Sequence, residues 1–137
     1  MKVFAGWLAL GFGTFLAVAE AFRNAGEVQW WPFWVVDYIA VALLLWGAVA
    51  VLWRPEANRG LAILTAGWGF ACAMFYMSFF GHVAEVIGDG TGVAETNLQS
   101  AVDEPILTII IGVLFAITIV GLVASLAAAT REVKAKA

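Results

Sequence analysis

The chain has 137 residues, 64% hydrophobic and 12% charged, with a mean hydropathy of +0.95 and a net charge of −3. A soluble domain is about 45–50% apolar and about 25% charged, so the composition is that of a membrane protein, and the length leaves a single domain, 1–137, with no soluble unit beside it. The acidic balance excludes a nucleic-acid partner, which would need a basic patch.

Four apolar runs follow one another, at 3–22, 33–53, 60–81 and 105–129. Each reaches the roughly 20 residues that cross a hydrocarbon core about 30 Å thick. None alternates as a membrane-barrel strand would. The expected fold is therefore all-α, a polytopic four-transmembrane-helix bundle. Basic residues near helix ends are retained in the cytoplasm. Four spans place Lys2, Arg54, Arg59, Arg131, Lys134 and Lys136 on one face and only Arg23 on the other. Both termini are then cytoplasmic, in a bacterial-type inner membrane, and eight of the ten acids lie on the outer, periplasmic side.

Run one opens with Lys2, and Ala17-Val18-Ala19 imitates a leader cleavage site; it is expected to be a retained helix. Gly6, Gly13, Ala17 and Glu20 share a stripe, because seven residues return to nearly the same face. Small residues on such a stripe let a neighbouring helix approach. Arg23, three residues after Glu20, is placed for a local ion pair.

Trp30, Trp31 and Trp34 around Pro32 read as an interfacial anchor at the outer headgroups, or as an aromatic docking surface. Pro32 suits the first turn of helix two. Asp37 lies about 7 Å of helical rise beyond Pro32, at a depth where an acid faces the bundle or a wet cavity. Trp53 and Arg54 anchor the inner edge. The short loop makes helices two and three antiparallel neighbours, with Pro55 ending one and Asn58 capping the other.

Run three carries the single cysteine, Cys72, and two methionines, Met74 and Met77, before the single histidine, His82. At about 100° per residue these side chains diverge, so Cys72, Met74 and Met77 are expected to be core packing rather than soft metal ligands. His82 and Glu85 do share a face and are the candidate metal ligands, with Asp37 and Glu20 completing a site for one divalent ion.

The long outer loop, 82–104, contains the turn sequence 88–92, a segment at 93–99 that suits a short surface helix, and Ser100 with Asp103 as a capping box for helix four. Its length suits partner contact. Helix four offers Thr108, Gly112, Ala116, Gly121 and Ser125 as packing positions. Three serines share one histidine, and neither a nucleophile elbow nor a phosphate loop is present. No catalytic set or cofactor is assigned.

Glu20, Arg23, Asp37, His82, Glu85 and Glu104 thus form an expected polar layer under the outer headgroups. On a merely snorkelling surface, Asp37→Asn would be silent. The first functional reading is an accessory or structural subunit that binds other membrane proteins, or further copies of itself, through small-residue seams on helices one, three and four. Its acidic outer rim would suit a basic soluble protein. The alternatives are a small proton- or cation-coupled transporter titrating Glu20 and Asp37, and a metal-dependent membrane enzyme centred on His82.

Overall fold

The computed structural model describes residues 1–23, 31–54, 59–87 and 104–136, with backbone alone at Arg23, 31–34, Glu85, Glu104 and Lys136. Four helices are present: α1 (Lys2–Arg23), α2 (Trp31–Trp53), α3 (Gly60–Ile87) and α4 (Glu104–Lys136). All four are long and apolar enough to cross a membrane. The described residues contain no strand.

Two helices run past their apolar cores. α3 continues from Gly81 to Ile87, so His82 and Glu85, expected to open the outer loop, stand in its last two turns. α4 begins at Glu104 and extends beyond Ala129 to Lys136, because alanines and charged residues with good helix propensity follow the apolar run. The Arg59 carbonyl accepts the first α3 bond, from the Ile63 amide at 3.0 Å, which puts Arg59 at the capping position. Pro55 and Asn58, expected at that junction, lie outside the described residues, as do the turn at 88–92, the segment at 93–99 and the pair Ser100 and Asp103.

The helices form a ring in which α1 packs on α2, α2 on α3, and α3 on α4, while α1 and α4 meet more loosely. Lys2 Nζ lies 2.7 Å from Glu132 Oε1, which fixes the start of α1 and the end of α4 at the same end of the bundle. Glycine decides where the backbones come closest. A methyl group added at Gly47 of α2 would stand 2.5 Å from the Leu64 Cα and 2.6 Å from its amide nitrogen on α3. At Gly67 it would stand 3.0 Å from the Leu43 carbonyl carbon and from the Leu44 nitrogen. At this α2–α3 seam backbone meets backbone, and it adds helix two to the expected seams.

Trp68 of α3 is fully buried and fills the notch left by Gly121 on α4, where an added methyl group would run into its fused ring. Phe12 reaches across from α1, its ring centroid 5.6 Å from that of Trp68 and 5.6 Å from that of Phe75. On α4, the buried hydroxyls of Thr118 and Ser125 donate to the carbonyls of Phe115 and Leu122 at 2.7 and 2.9 Å. Those intrahelical bonds satisfy their donors without a partner helix.

Three contacts tie the helices in depth: Lys2 to Glu132, Trp7 to Trp53 with ring centroids 5.7 Å apart, and Phe12 to Trp68. With about 1.5 Å of rise per residue, Trp68 and Gly121 both lie about 15 Å from the Lys2 level, near the middle of a core about 30 Å thick. The Trp68 notch is thus central.

Gly47→Ala is expected to lower stability by about 1–3 kcal/mol, because a backbone stands where the methyl group must go. Gly11 has nothing within 4 Å of an added Cβ. Gly11→Ala is therefore expected to be neutral or stabilising by up to about 1 kcal/mol, through helix propensity. Thermal unfolding in detergent checks both; equal effects would contradict the seam.

Candidate functional site

Each helix brings a polar side chain to the end of the bundle opposite the Lys2–Glu132 pair. Glu20 of α1, Asp37 of α2 and His82 of α3 are only 6%, 8% and 6% exposed, and Thr108 of α4 is half-buried. All four are engaged in interactions with other residues. Helical rise counted through the three ties places Glu20 about 27 Å, Asp37 about 31 Å, and His82 and Thr108 about 36 Å from the Lys2 level. They form an oblique layer at the far edge of the hydrocarbon slab, not at its midplane.

Physical chemistry explains why these groups turn inward. At such a depth a lipid-facing carboxylate would lose hydration without gaining a partner, whereas inside the bundle it can be hydrogen-bonded or paired. Burial separates this arrangement from snorkelling, in which the charged head stays in water. The backbone puts Arg23, Glu85 and Glu104 at the same helix ends; their side chains lie outside the described residues. Thr108 joins the layer, although sequence spacing suggested only packing for it.

Among the described residues, no group of three His, Cys, Asp or Glu side chains converges as ligands would. Glu20, Asp37 and His82 come from three helices at different depths, a spread that suits pairwise contacts better than one coordination sphere.

The anchor and packing residues are placed as follows. Trp53 is 55% exposed and meets the edge of Trp7, at the end of the bundle where Lys2 and Arg54 stand. Trp30, with the side chains of Trp31 and Trp34, lies outside the described residues. Gly6 and Gly13 face α2, with an added methyl group 3.0 Å from Leu52 Cγ and 3.0 Å from Leu45 Cδ2 respectively, and Ala17 packs against the core. Gly112 faces Phe79 of α3 at 2.9 Å, and Gly121 faces Trp68. Met74 packs on the core and Cys72 is half-buried. Met77 is corrected: it is 71% exposed, because α3 turns Tyr76, Met77 and Phe80 outward at this level.

A different feature lies between α1 and α4, where the ring is loosest. Trp7, Gly11, Phe12 and Phe15 of α1, with Leu114 and Ile117 of α4, line an open apolar groove of about 390 Å³. Gly11 forms its bare floor. Comparisons of the chain with protein-family models, with curated proteins and with solved structures give no match.

Asp37→Ala is expected to cost about 1–3 kcal/mol, because it removes the interaction that a buried carboxylate makes. Asp37→Asn, which keeps the shape and part of the hydrogen bonding, should cost less. Unfolding midpoints in detergent would show the order wild type, Asn, Ala; identical midpoints for all three would mean that the carboxylate is in water.

Proposed function

We propose that the chain is an accessory or structural subunit of a bacterial-type inner membrane, with both termini in the cytoplasm, that binds other membrane proteins. One observation carries this reading: the buried carboxylates and imidazole are closed inside the bundle and engaged there, while α4 offers a long apolar face to the outside. Within the apolar 18-residue stretch that marks each span, 22% of residues are buried in α4 against 44% in α2. Ile109, Val113, Val120 and Val123 stand along the exposed side of α4. Branched side chains of this kind are stiff and order at little entropic expense when a partner helix packs on them. The acidic outer side belongs to the same reading, since it would complement a basic protein that meets the complex from the periplasm.

The second reading, a proton- or cation-coupled carrier, draws support from the burial of Glu20 and Asp37. Ionisable groups inside a membrane bundle mark ion pathways more often than they mark packing. Their position at one edge favours the subunit, because carriers bind near the midplane.

Purification from native membrane in mild detergent separates the two. The subunit reading expects defined membrane proteins to co-purify in fixed stoichiometry, and Val113→Trp with Val123→Trp to reduce that recovery severalfold without lowering the unfolding midpoint. Recovery of the chain alone, with pH-dependent uptake in proteoliposomes that Asp37→Asn abolishes, would replace it with the carrier.

A further inference from the structure

We propose that α1 is a hinged side of the bundle, which parts from α4 at the Lys2 end and is latched there by the Lys2–Glu132 ion pair. The inference concerns motion within the chain and is independent of any protein partner on the outer face of α4. It rests on the chain order, on the kind of contact at each seam, and on what holds the two ends of α1.

Chain order comes first. α1 and α2, α2 and α3, and α3 and α4 are consecutive in the sequence, so a connection limits how far each pair can separate. α1 and α4 are neighbours in the ring but not in the sequence. Their seam is closed by non-covalent contact alone.

The seams also differ in stiffness. α3 is fixed on both sides, because the Gly47 and Gly67 contacts set backbone against backbone and Trp68 is keyed into the Gly121 notch. At the α1–α2 seam the atoms nearest an added methyl group on Gly6 and Gly13 belong to the Leu52 and Leu45 side chains, each at 3.0 Å. A leucine side chain can change rotamer, whereas a packed helix backbone moves only with its neighbours. The α1–α4 seam is looser still: Gly11 meets nothing within 4 Å, and an open apolar groove runs past it. α1 is thus the helix that the others hold least.

Its two ends are held unequally. Glu20, 6% exposed, is seated in the bundle about 27 Å from the Lys2 level, and Phe12 reaches to Trp68 and Phe75 about halfway along. Swinging the Glu20 end outward would carry a carboxylate toward hydrocarbon, and that expense resists the motion. At the opposite end α1 meets α4 through Lys2 Nζ and Glu132 Oε1, 2.7 Å apart, with side chains 32% and 43% exposed. A pair so exposed is a weak contact that salt screens. The Glu20 end is therefore the pivot and the Lys2 end the part that moves, a local hinge opening at the least-held element.

The test is pulsed electron paramagnetic resonance on the full chain in lipid nanodiscs, with Cys72→Ser as background so that spin labels attach only where placed. One label pair, Phe4→Cys with Thr130→Cys, sits about 3 Å from the Lys2 level, and a second, Val18→Cys with Ala116→Cys, about 24 Å from it. All four positions are exposed. The proposal expects the first pair to show a second, longer distance whose share rises about twofold to fivefold on Lys2→Gln, the scale of a half-exposed ion pair. Salt at about 1 M should act in the same direction, and Lys2→Arg, which keeps the charge, should leave the distribution as in the wild type. The second pair should keep one distance throughout. A first-pair distribution unchanged by Lys2→Gln would overturn the proposal. So would equal broadening at both pairs, because the whole bundle would then be loosening and not one hinged helix.

Discussion

Helices surrounded by hydrocarbon gain little from hiding apolar surface against one another, because lipid tails are as apolar as leucine. What holds them is close contact, and here the contacts converge on α3. Its Leu64 backbone lies against Gly47, its Gly67 lies against the α2 backbone at Leu43 and Leu44, and its Trp68 seats in the Gly121 notch of α4. Phe12 extends the same contact to α1. Removing a side chain on one helix so that a backbone or an indole can enter brings many atoms to van der Waals distance at once. α3 is therefore the member on which the others are assembled.

The two ends and the open side follow from that centre. α1 is held chiefly by α2, through Gly6 and Gly13, and touches α4 less. At the Lys2 end one ion pair joins the first helix to the last. At the other end Glu20, Asp37 and His82 are drawn inside, with Thr108 beside them. Between these ends the α1–α4 side has no glycine contact to close it, and the groove over Gly11 remains. Trp68 shows what the central packing costs: its Nε1 donor is buried without a hydrogen-bond partner among the described residues. A buried donor left in that state costs about 1–3 kcal/mol, and the fit of the ring over Gly121 is what offsets it.

Much of the architecture was legible in the sequence because the signal is composition averaged over some twenty residues. Four apolar runs of spanning length can form little else in a membrane. The turning inward of Asp37 was legible for a related reason, the expense of a charge at that depth. For Glu20 the sequence offered a local ion pair with Arg23 and for His82 a face shared with Glu85, so their burial is a finding of the structure. Helix ends were not legible: His82 and Glu85 follow the apolar run, yet α3 continues through them, since polarity does not stop a helix when nothing breaks it. The contact of Gly47 with Leu64 went unread, although Gly60 and Gly67 show the same seven-residue return as Gly6 and Gly13. Which helix a glycine faces is set by the ring order, and the ring order is a tertiary fact. Met77 failed in the same way, because residue type told its chemistry and not its direction.

The central claim is that the polar layer is closed inside the bundle and not open to water. The chain has one histidine, so His82 is its own reporter. The most direct measurement is the rate at which a water-soluble histidine reagent modifies tag-free protein in sealed, lipid-reconstituted vesicles, read by mass spectrometry and compared with the rate after unfolding. A buried imidazole, 6% exposed, predicts modification at least tenfold slower in the folded state. Equal rates would contradict the account and place His82 in a water-filled opening.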